Sequence, residues 1–349
     1  MKALYNKVNK DVLKQKMEAS NELRTTLSFY KYHNIKNVKF FRNYLYHHLD
    51  TIHVCGRIYV AAEGINGQLS VPNRNLEKFR QIFDDITFLN GVRLNYAIED
   101  DGKSFYVLKI KIREKIVADG LDDSSFDVTR GGQHLDAQSF NELTSRADTV
   151  VVDMRNHYES EVGHFKGAIT PDVVTFRESL PIIEDMLQVH KDKHIVMYCT
   201  GGIRCEKASA YYKHKGFEKV YQLDGGIIEY ARQVKENGLE NKFIGKNFVF
   251  DERLGESISE DIISHCHQCG ALSARHINCA NDACHLLFIQ CESCSQVYEN
   301  TCSSKCKEFN QLNEEEQKRL KGTIEFNGSK FGKGRYKAHN SKGVVLNQG

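Results

Sequence analysis

Hydrophobic positions along this chain change their spacing twice, and each change marks a different kind of architecture. In the first third they fall in short strand-like runs separated by two amphipathic stretches. Residues 25–31 read as a strand, and residues 36–50 place Val38, Phe41, Tyr44, Leu45 and Leu49 on one side at helical spacing. Two apolar runs, 57–62 and 67–72, flank Glu63-Gly64-Ile65-Asn66 and predict a hairpin with that segment as its loop. Residues 73–86 predict a second helix carrying Phe79 and Phe83, with Asn73 or Asn75 as its N-cap. Strands follow at 91–97 and 105–117. The order β-α-β-β-α-β predicts a ferredoxin-like (acylphosphatase-like) α+β domain over residues 1–117.

Residues 118–135, with four aspartates, two serines and three glycines, read as a linker. Beyond them the pattern changes to buried β-branched runs. Thr149-Val150-Val151-Val152 is the signature of a strand covered on both faces in a parallel sheet. Strands at 194–198 and 219–222 then alternate with helical stretches at 180–190 and 205–215, which predicts an α/β domain over 136–240. From 241 to 310 periodicity gives way to cysteines, and 311–349 forms a tail. From residue 321 that tail holds six Lys/Arg against one Glu.

Composition narrows what such a chain does. Its 349 residues, 40% of them hydrophobic, suffice for two or three domains with cores of their own. A net charge of +2 with that hydrophobic content excludes whole-chain disorder. No apolar run approaches the ~20 residues of a membrane-spanning helix. The opening MKALYNKVNKDVLKQKMEAS lacks the apolar stretch of a secretory signal, so a cytoplasmic location is expected, with no membrane partner. In that setting eleven cysteines point to metal binding and thiol chemistry rather than to disulfides. Cys55 stands alone and reads as a core residue.

The second change of spacing places Cys199-Thr200-Gly201-Gly202-Ile203-Arg204 at the end of a strand, with a helix expected from Cys205. A glycine-rich strand-to-helix turn lets several backbone N–H groups converge on one point, and the helix terminus adds roughly half a positive charge. Cys199 is therefore expected as a thiolate with a depressed pKa and Arg204 as the fixed cation beside it. Cys205 is either a resolving thiol for Cys199 or an inert first-turn residue. Upstream, Asp153-Met154-Arg155 ends a strand and is followed by Gly163-His164-Phe165-Lys166-Gly167-Ala168, and downstream comes Leu223-Asp224-Gly225-Gly226-Ile227. These segments and the six-residue loop resemble the rhodanese signature. The resemblance implies a rhodanese-like domain in which Asp153 and Arg155 support the loop and Cys199 carries a persulfide.

The rear cluster reads Cys266-x2-Cys269-x9-Cys279-x4-Cys284-x6-Cys291-x2-Cys294-x7-Cys302-x3-Cys306. Eight thiolates suit two tetrahedral zinc ions with four ligands each, acting as staples for a region without much core. Sequential and interleaved pairings both fit the spacing; His265, His267, His276 and His285 are substitute ligands, and an iron–sulfur cluster is the alternative cargo. In the tail, Phe326, Phe331 and Tyr336 among the lysines suit RNA, with a solvated end as the plainer reading.

Taken together, Ala61-Ala62-Glu63-Gly64-Ile65-Asn66-Gly67, Met197-Tyr198-Cys199-Thr200-Gly201-Gly202-Ile203-Arg204-Cys205-Glu206-Lys207-Ala208 and Asp251-Glu252-Arg253 ahead of a cysteine-rich end resemble the rhodanese-domain tRNA uridine-34 5-hydroxylase family of bacteria. The resemblance implies O2-dependent conversion of the wobble uridine to 5-hydroxyuridine, Cys199 as the catalytic cysteine, and the tRNA anticodon arm as partner. A sulfurtransferase carrying a persulfide on Cys199 is the alternative. Hydroxylation with O2 calls for a source of electrons. The chain has no dinucleotide fingerprint and no two-His-one-carboxylate spacing, so the redox cofactor is left open: the Cys199 thiol acts directly, or a cofactor without a sequence signature does.

Overall fold

Alternation along the strands of the front domain sorts its side chains onto two faces. In the computed structural model, which describes residues 4–121, 126–320, 322–328 and 334–337, a short helix α1 (Lys10–Glu18) precedes the sheet. The elements that follow are β1 (Arg24–Tyr32), α2 (Val38–Thr51), β2 (Cys55–Ala61), β3 (Gly64–Pro72), α3 (Leu76–Asp84), β4 (Asn95–Tyr96) and β5 (Leu108–Ile112). The strands lie in the order β4-β1-β3-β2-β5, with β5 joined to β2 in parallel and the other pairs antiparallel. Leu27, Phe29, Ile58, Val60, Ile65 and Leu69 point to one side and are buried against Phe41, Leu45, Leu49, Phe79 and Phe83 of the two helices. Residues of opposite parity line up on the other face. Register sets Asn95, Ser28, Gln68, Arg57 and Lys109 side by side in one row, and Tyr30, Asn66, Tyr59 and Lys111 in the next.

The α/β domain continues as β6 (Gln133–Leu135), α4 (Ala137–Thr144), β7 (Thr149–Asp153), α5 (His157–Ser160), β8 (Gly163–Phe165), α6 (Phe176–Leu187), β9 (His194–Tyr198), α7 (Ile203–His214), β10 (Val220–Leu223), α8 (Gly226–Asn237) and β11 (Phe243–Asn247). Its four-stranded parallel sheet has the order β6-β10-β9-β7. Val150, Val151 and Val152 of β7 are all buried, as a doubly covered strand requires.

The chain divides into two compact units. The first joins residues up to Asn156 with Phe165–Lys242 and Val249–Ser257, so the front sheet and the parallel sheet share one unit. The second joins His157–His164, Phe243–Phe248 and the chain from Ile258 onward. Within it β8 lies beside β11, a two-stranded hairpin pairs His276–Asn278 with Leu287–Ile289, and short helices cover Glu292–Tyr298, Ser304–Gln311 and Glu314–Leu320. One apolar cluster within it joins Leu286 and Phe288 with four cysteines, flanked by Ile277, Phe326 and Tyr336.

Several elements differ from the sequence expectations. The hairpin turns on Ala62 and Glu63 alone, because β3 resumes at Gly64, which pairs with both Ala61 and Tyr32. A Cβ on Gly64 would stand 2.2 Å from the Lys31 carbonyl, so only glycine lets the strands approach there. Asn75 stands at the N-cap position of α3 but makes no side-chain capping bond, donating instead to the Ile52 carbonyl at 3.0 Å, while Asn73 accepts from Thr25 Oγ1 at 2.8 Å. Helix α6 starts at Phe176 rather than near 180, because Thr175 and Glu178 form a reciprocal capping box. Strand β6 lies in the stretch read as linker and completes the edge of the parallel sheet. Helix α7 starts at Ile203, two residues earlier than expected, which puts Arg204 and Cys205 in its first turn.

Candidate active site and metal centres

Cys199 follows the last residue of β9 and is fully buried in the apolar cluster of the parallel sheet. The Gly202 N–H donates to its Sγ at 3.2 Å. Gly202 holds φ at +101°, and a Cβ there would stand 2.9 Å from the Tyr30 hydroxyl, so backbone and space both demand glycine. Burial pushes the Cys199 thiol up. A hydrogen bond from the Cys205 thiol, the Arg204 charge and the amides of Cys205 and Arg204 outweigh it, leaving Cys199 at about 6. Cys205 itself is raised by burial and by the sulfur it faces, so the shared proton rests on Cys205. Behind the loop, the N–H groups of Ile227 and Ile228 donate to the carbonyls of Cys199 and Thr200 at 3.0 and 3.3 Å. That approach is why the downstream signature carries Gly226: a Cβ would meet the Cys199 carbonyl at 2.5 Å.

Asp153 and Arg155 lie beneath this loop and do not reach its open side. Arg155 donates to Asp153 through Nε and Nη2 at 2.9 and 2.7 Å, and the Tyr198 hydroxyl donates to the same carboxylate at 2.7 Å. The trio is fully buried and ties the residue before Cys199 to β7. The pair is a framework for the loop.

In front of the loop is a cavity of about 260 Å³. Cys199, Thr200, Gly201, Ile203 and Arg204 form one wall, and the polar face of the front sheet forms the opposite one with Tyr30, Arg57, Tyr59, Asn66, Gln68 and Asn95. Phe250, Asp251, Arg253 and Glu256 close a third side. Asn95 bridges the two principal walls: its Nδ2 donates to the Gly201 carbonyl at 3.4 Å, while its buried Oδ1 has no partner among the described residues. The Arg204 guanidinium lies 5.8 Å from the Phe250 ring centroid, and Arg204 Nη2 reaches Thr200 Oγ1 at 3.5 Å. The Asp-Glu-Arg motif serves this wall: Arg253 pairs with Asp251 at 2.5 Å and Glu256 at 2.5 Å and donates to the Glu99 carbonyl of the front domain.

Two more links hold the front sheet to α7. Glu63, at the hairpin turn, accepts Lys207 Nζ at 2.7 Å and the Ile116 N–H at 2.7 Å, with Asp119 3.4 Å from the same ammonium. Lys207 is 1% exposed, so this is a buried ion pair. The Tyr30 hydroxyl donates to Glu206 at 3.0 Å. Glu206 faces His134, which also meets Asp224 at 3.0 Å, and Arg93 of the front domain reaches Asp224 at 2.5 Å. Hydrogen bonds to Asp224 and Glu206 raise His134 to about 9, so it is cationic at neutral pH. Sequence reasoning singles out none of Tyr30, Arg57, Asn95 or His134, and meets Asn66 and Lys207 only within the motifs of the family resemblance. The polar parity of the front strands is the available signal, and it becomes visible only once the strands are paired in register.

In the second unit the eight cysteines divide into two groups of four. Cys266, Cys269, Cys291 and Cys294 form one, and Cys279, Cys284, Cys302 and Cys306 the other, with the sulfurs of each group within 4.8 Å of one another. The pairing is interleaved: Cys279 and Cys284 lie between the two pairs of the first group, and Cys291 and Cys294 lie between the two pairs of the second. Gaps of 3.6 Å (Cys269–Cys291) and 3.7 Å (Cys284–Cys302 and Cys302–Cys306) match the ~3.8 Å edge of a tetrahedron with metal–sulfur bonds of ~2.3 Å. The donor set therefore fits a single tetrahedral ion, such as zinc, in each group. Among the described residues no histidine joins either group: His267 pairs with Glu161 at 2.7 Å instead. Phe326 and Tyr336, read from sequence as RNA-stacking residues, pack against the cysteine core, Tyr336 at 6.0 Å from Phe288 and Phe326 at 5.2 Å from Phe309. Phe331 and the tail from 338 lie outside the described residues.

Three segments of the chain match families of known proteins. Residues 24–116 match the UPF0176 acylphosphatase like domain, 136–233 the Rhodanese-like domain, and 244–307 the Rhodanase C-terminal family. A tRNA uridine(34) hydroxylase of Photorhabdus laumondii is 53% identical over 97% of this chain and 96% of its own length. Proteins of the same description from Pectobacterium atrosepticum and Escherichia fergusonii are 56% identical over 95% of this chain and 93% of theirs, and 53% identical over 99% of both. No helix among the described residues is long and apolar enough to cross a membrane. At this identity, over nearly the whole of both chains, the protein belongs to the tRNA uridine(34) hydroxylase family.

Proposed function

We propose that this chain carries out its family's reaction, converting the wobble uridine of tRNA to 5-hydroxyuridine with O2, and that the base enters the cavity between the front sheet and the Cys199 loop. One observation carries the reading. A thiolate and a guanidinium form one wall of a cavity whose opposite wall bears the amides of Asn66, Gln68 and Asn95 and the rings of Tyr30 and Tyr59. Amides recognise the edge of a base, and aromatic rings stack on its face. A thiolate is the natural nucleophile for the electron-poor C6 of uracil, and Cys199 takes that role here.

The phosphate backbone of the anticodon arm has its own surface. Arg57 and Lys109, then Tyr59 and Lys111, sit side by side on the cavity's face of the sheet, and Arg113 follows at the edge of β5. Arg57, Lys109, Lys111 and Arg113 are all exposed. This basic strip begins at the cavity and runs outward, as an RNA strand entering it requires. In the second unit, two zinc ions per chain act as staples rather than reactants.

Deleting the gene removes 5-hydroxyuridine from total tRNA, and a copy carrying Cys199→Ala does not restore it; nucleoside mass spectrometry reads both. Restoration by the alanine variant overturns the role of Cys199, and unchanged 5-hydroxyuridine on deletion overturns the function. Replacing Lys109, Lys111 and Arg113 with alanine weakens tRNA binding and makes the plot of log affinity against log salt shallower, by about 1 for each phosphate left unneutralised.

A further inference from the structure

Turning uridine into 5-hydroxyuridine replaces a C5–H bond by C5–O, so a proton leaves C5 in every turnover, whatever route the oxygen takes. Once Cys199 has added to C6 and C5 carries its oxygen, the double bond re-forms only when a base takes that proton. Cys199 is then the leaving group and cannot also be the base. Among the described residues no histidine lines the cavity, and only two carboxylates do, Asp251 and Glu256. Asp251 is fully occupied. Its Oδ1 accepts the Arg253 N–H and Nε at 3.0 and 2.9 Å, and its Oδ2 accepts Nη2 at 2.5 Å. Glu256 is held by one oxygen: its Oε1 accepts the Ile98 N–H at 3.1 Å and Arg253 Nη1 at 2.5 Å. Its Oε2 is buried and has no hydrogen-bond partner among the described residues. Of the described residues that line the cavity, only Glu256 and Asn95 carry such a buried, unpartnered side-chain atom. A carboxylate present only to tie Arg253 to the Ile98 segment has no use for a bare buried oxygen, which is costly to leave unpaired.

Building on the hydroxylase reading above, we propose that Glu256 is the general base that takes the C5 proton through Oε2 as the Cys199 adduct collapses to 5-hydroxyuridine. The step balances by itself. The C5–H electron pair becomes the C5=C6 double bond, and the C6–S pair leaves on the Cys199 sulfur as thiolate. The proton ends on Glu256, which passes from carboxylate to neutral acid, so one negative charge moves from carboxylate to thiolate. No oxidant or reductant enters. The departing thiolate returns to the loop in which the Gly202 N–H donates to its sulfur at 3.2 Å. Burial holds the Glu256 carboxyl above the usual carboxylate range in spite of Arg253, which makes it a stronger base than an exposed glutamate. Once the product has left, water takes the proton and the carboxylate is ready again.

The test expresses the full chain and its variants in the deletion strain and follows 5-hydroxyuridine in total tRNA after induction by nucleoside mass spectrometry. Glu256→Gln keeps the size of the side chain and removes the base. At equal protein level it is expected to lower the initial rate by about a hundredfold. Quenched in acid and digested with ribonuclease, that variant is expected to carry on Cys199 a uridine nucleotide plus one oxygen, the adduct whose C5 proton has not been removed. Glu256→Asp restores a carboxylate and is expected to recover part of the rate and to clear the adduct. A wild-type rate in the glutamine variant overturns the base, and so does loss of product without the adduct, which is what a merely structural Glu256 gives. No 5-hydroxyuridine from the wild-type chain overturns the hydroxylase reading itself.

Discussion

At Cys199 burial and local charge oppose each other, and charge prevails. The desolvation that disfavours a thiolate is outweighed by the Cys205 hydrogen bond, by Arg204 and by two backbone amides, so the group titrates at about 6. A reaction begun by the thiolate loses rate as pH falls through about 6. Arg204→Met removes one of the opposing charges and moves that acid limb upward in pH, which a single-turnover pH–rate profile measures. Asn95 acts on the other wall. Its Oδ1 is a buried acceptor without a partner among the described residues, one that the N3–H of uracil could satisfy and cytosine could not. Asn95→Ala is therefore expected to raise KM for U34-containing tRNA and to narrow its advantage over a C34 transcript by about tenfold, the ~1–3 kcal/mol of one base contact. The chemistry of Cys199 is legible in the sequence because its loop is contiguous. Asn95 is not, because its partners Ser28 and Gly201 are distant in sequence.

Helix α7 is the element on which the front domain and the thiol loop meet, and consecutive residues of its first turns face different partners. Lys207 enters a buried pair with Glu63, with Asp119 close by. Lys207→Ala leaves two carboxylates without their cation and is expected to destabilise the chain by ~3–5 kcal/mol in urea unfolding, whereas Lys207→Met with Glu63→Gln costs less. Glu206 and Asp224 hold His134 protonated up to about 9. A histidine raised above its unfolded value of ~6.5 stabilises fully below that value and loses the contribution as pH rises through about 9. The melting temperatures of the wild-type chain and His134→Gln are thus expected to differ most at pH 6 and to converge near pH 10. The hairpin motif at 61–67 belongs at this scale too. Glu63 clasps Lys207, Gly64 permits close pairing, Ile65 is core, Asn66 faces the cavity, and Gly67 makes room for Phe29, whose ring a Cβ would meet at 2.5 Å.

Across the whole molecule, the two units rest on different sources of stability. The first has two extended apolar cores. In the second, the cluster around Cys279, Cys284, Cys302 and Cys306 has only Leu286 and Phe288 as its other buried members, too little apolar area to hold that segment by itself. Chelation is therefore expected to release two zinc ions per chain and to speed hydrogen exchange across 266–306 while β1, β3 and β9 keep their protection. Retained protection at 266–306 after metal removal would sink the staple role.

What the sequence by itself determined is what lies close along the chain: strand and helix periods, the Cys199 loop, the count of eight zinc-type thiols, and the order of domains. Even there periodicity alone starts α6 too late, whereas the Thr175–Glu178 capping box marks its true beginning. Tertiary structure alone decided which strands pair, and hence that the residues of one parity in the front sheet form a wall facing Cys199. It also decided that the two cysteine groups interleave, and that Phe326 and Tyr336 belong to a core rather than to RNA. The physical reason is the same in each case. Local periodicity records which side of an element is buried, but the partner on the far side is chosen by packing among segments that the chain order leaves apart.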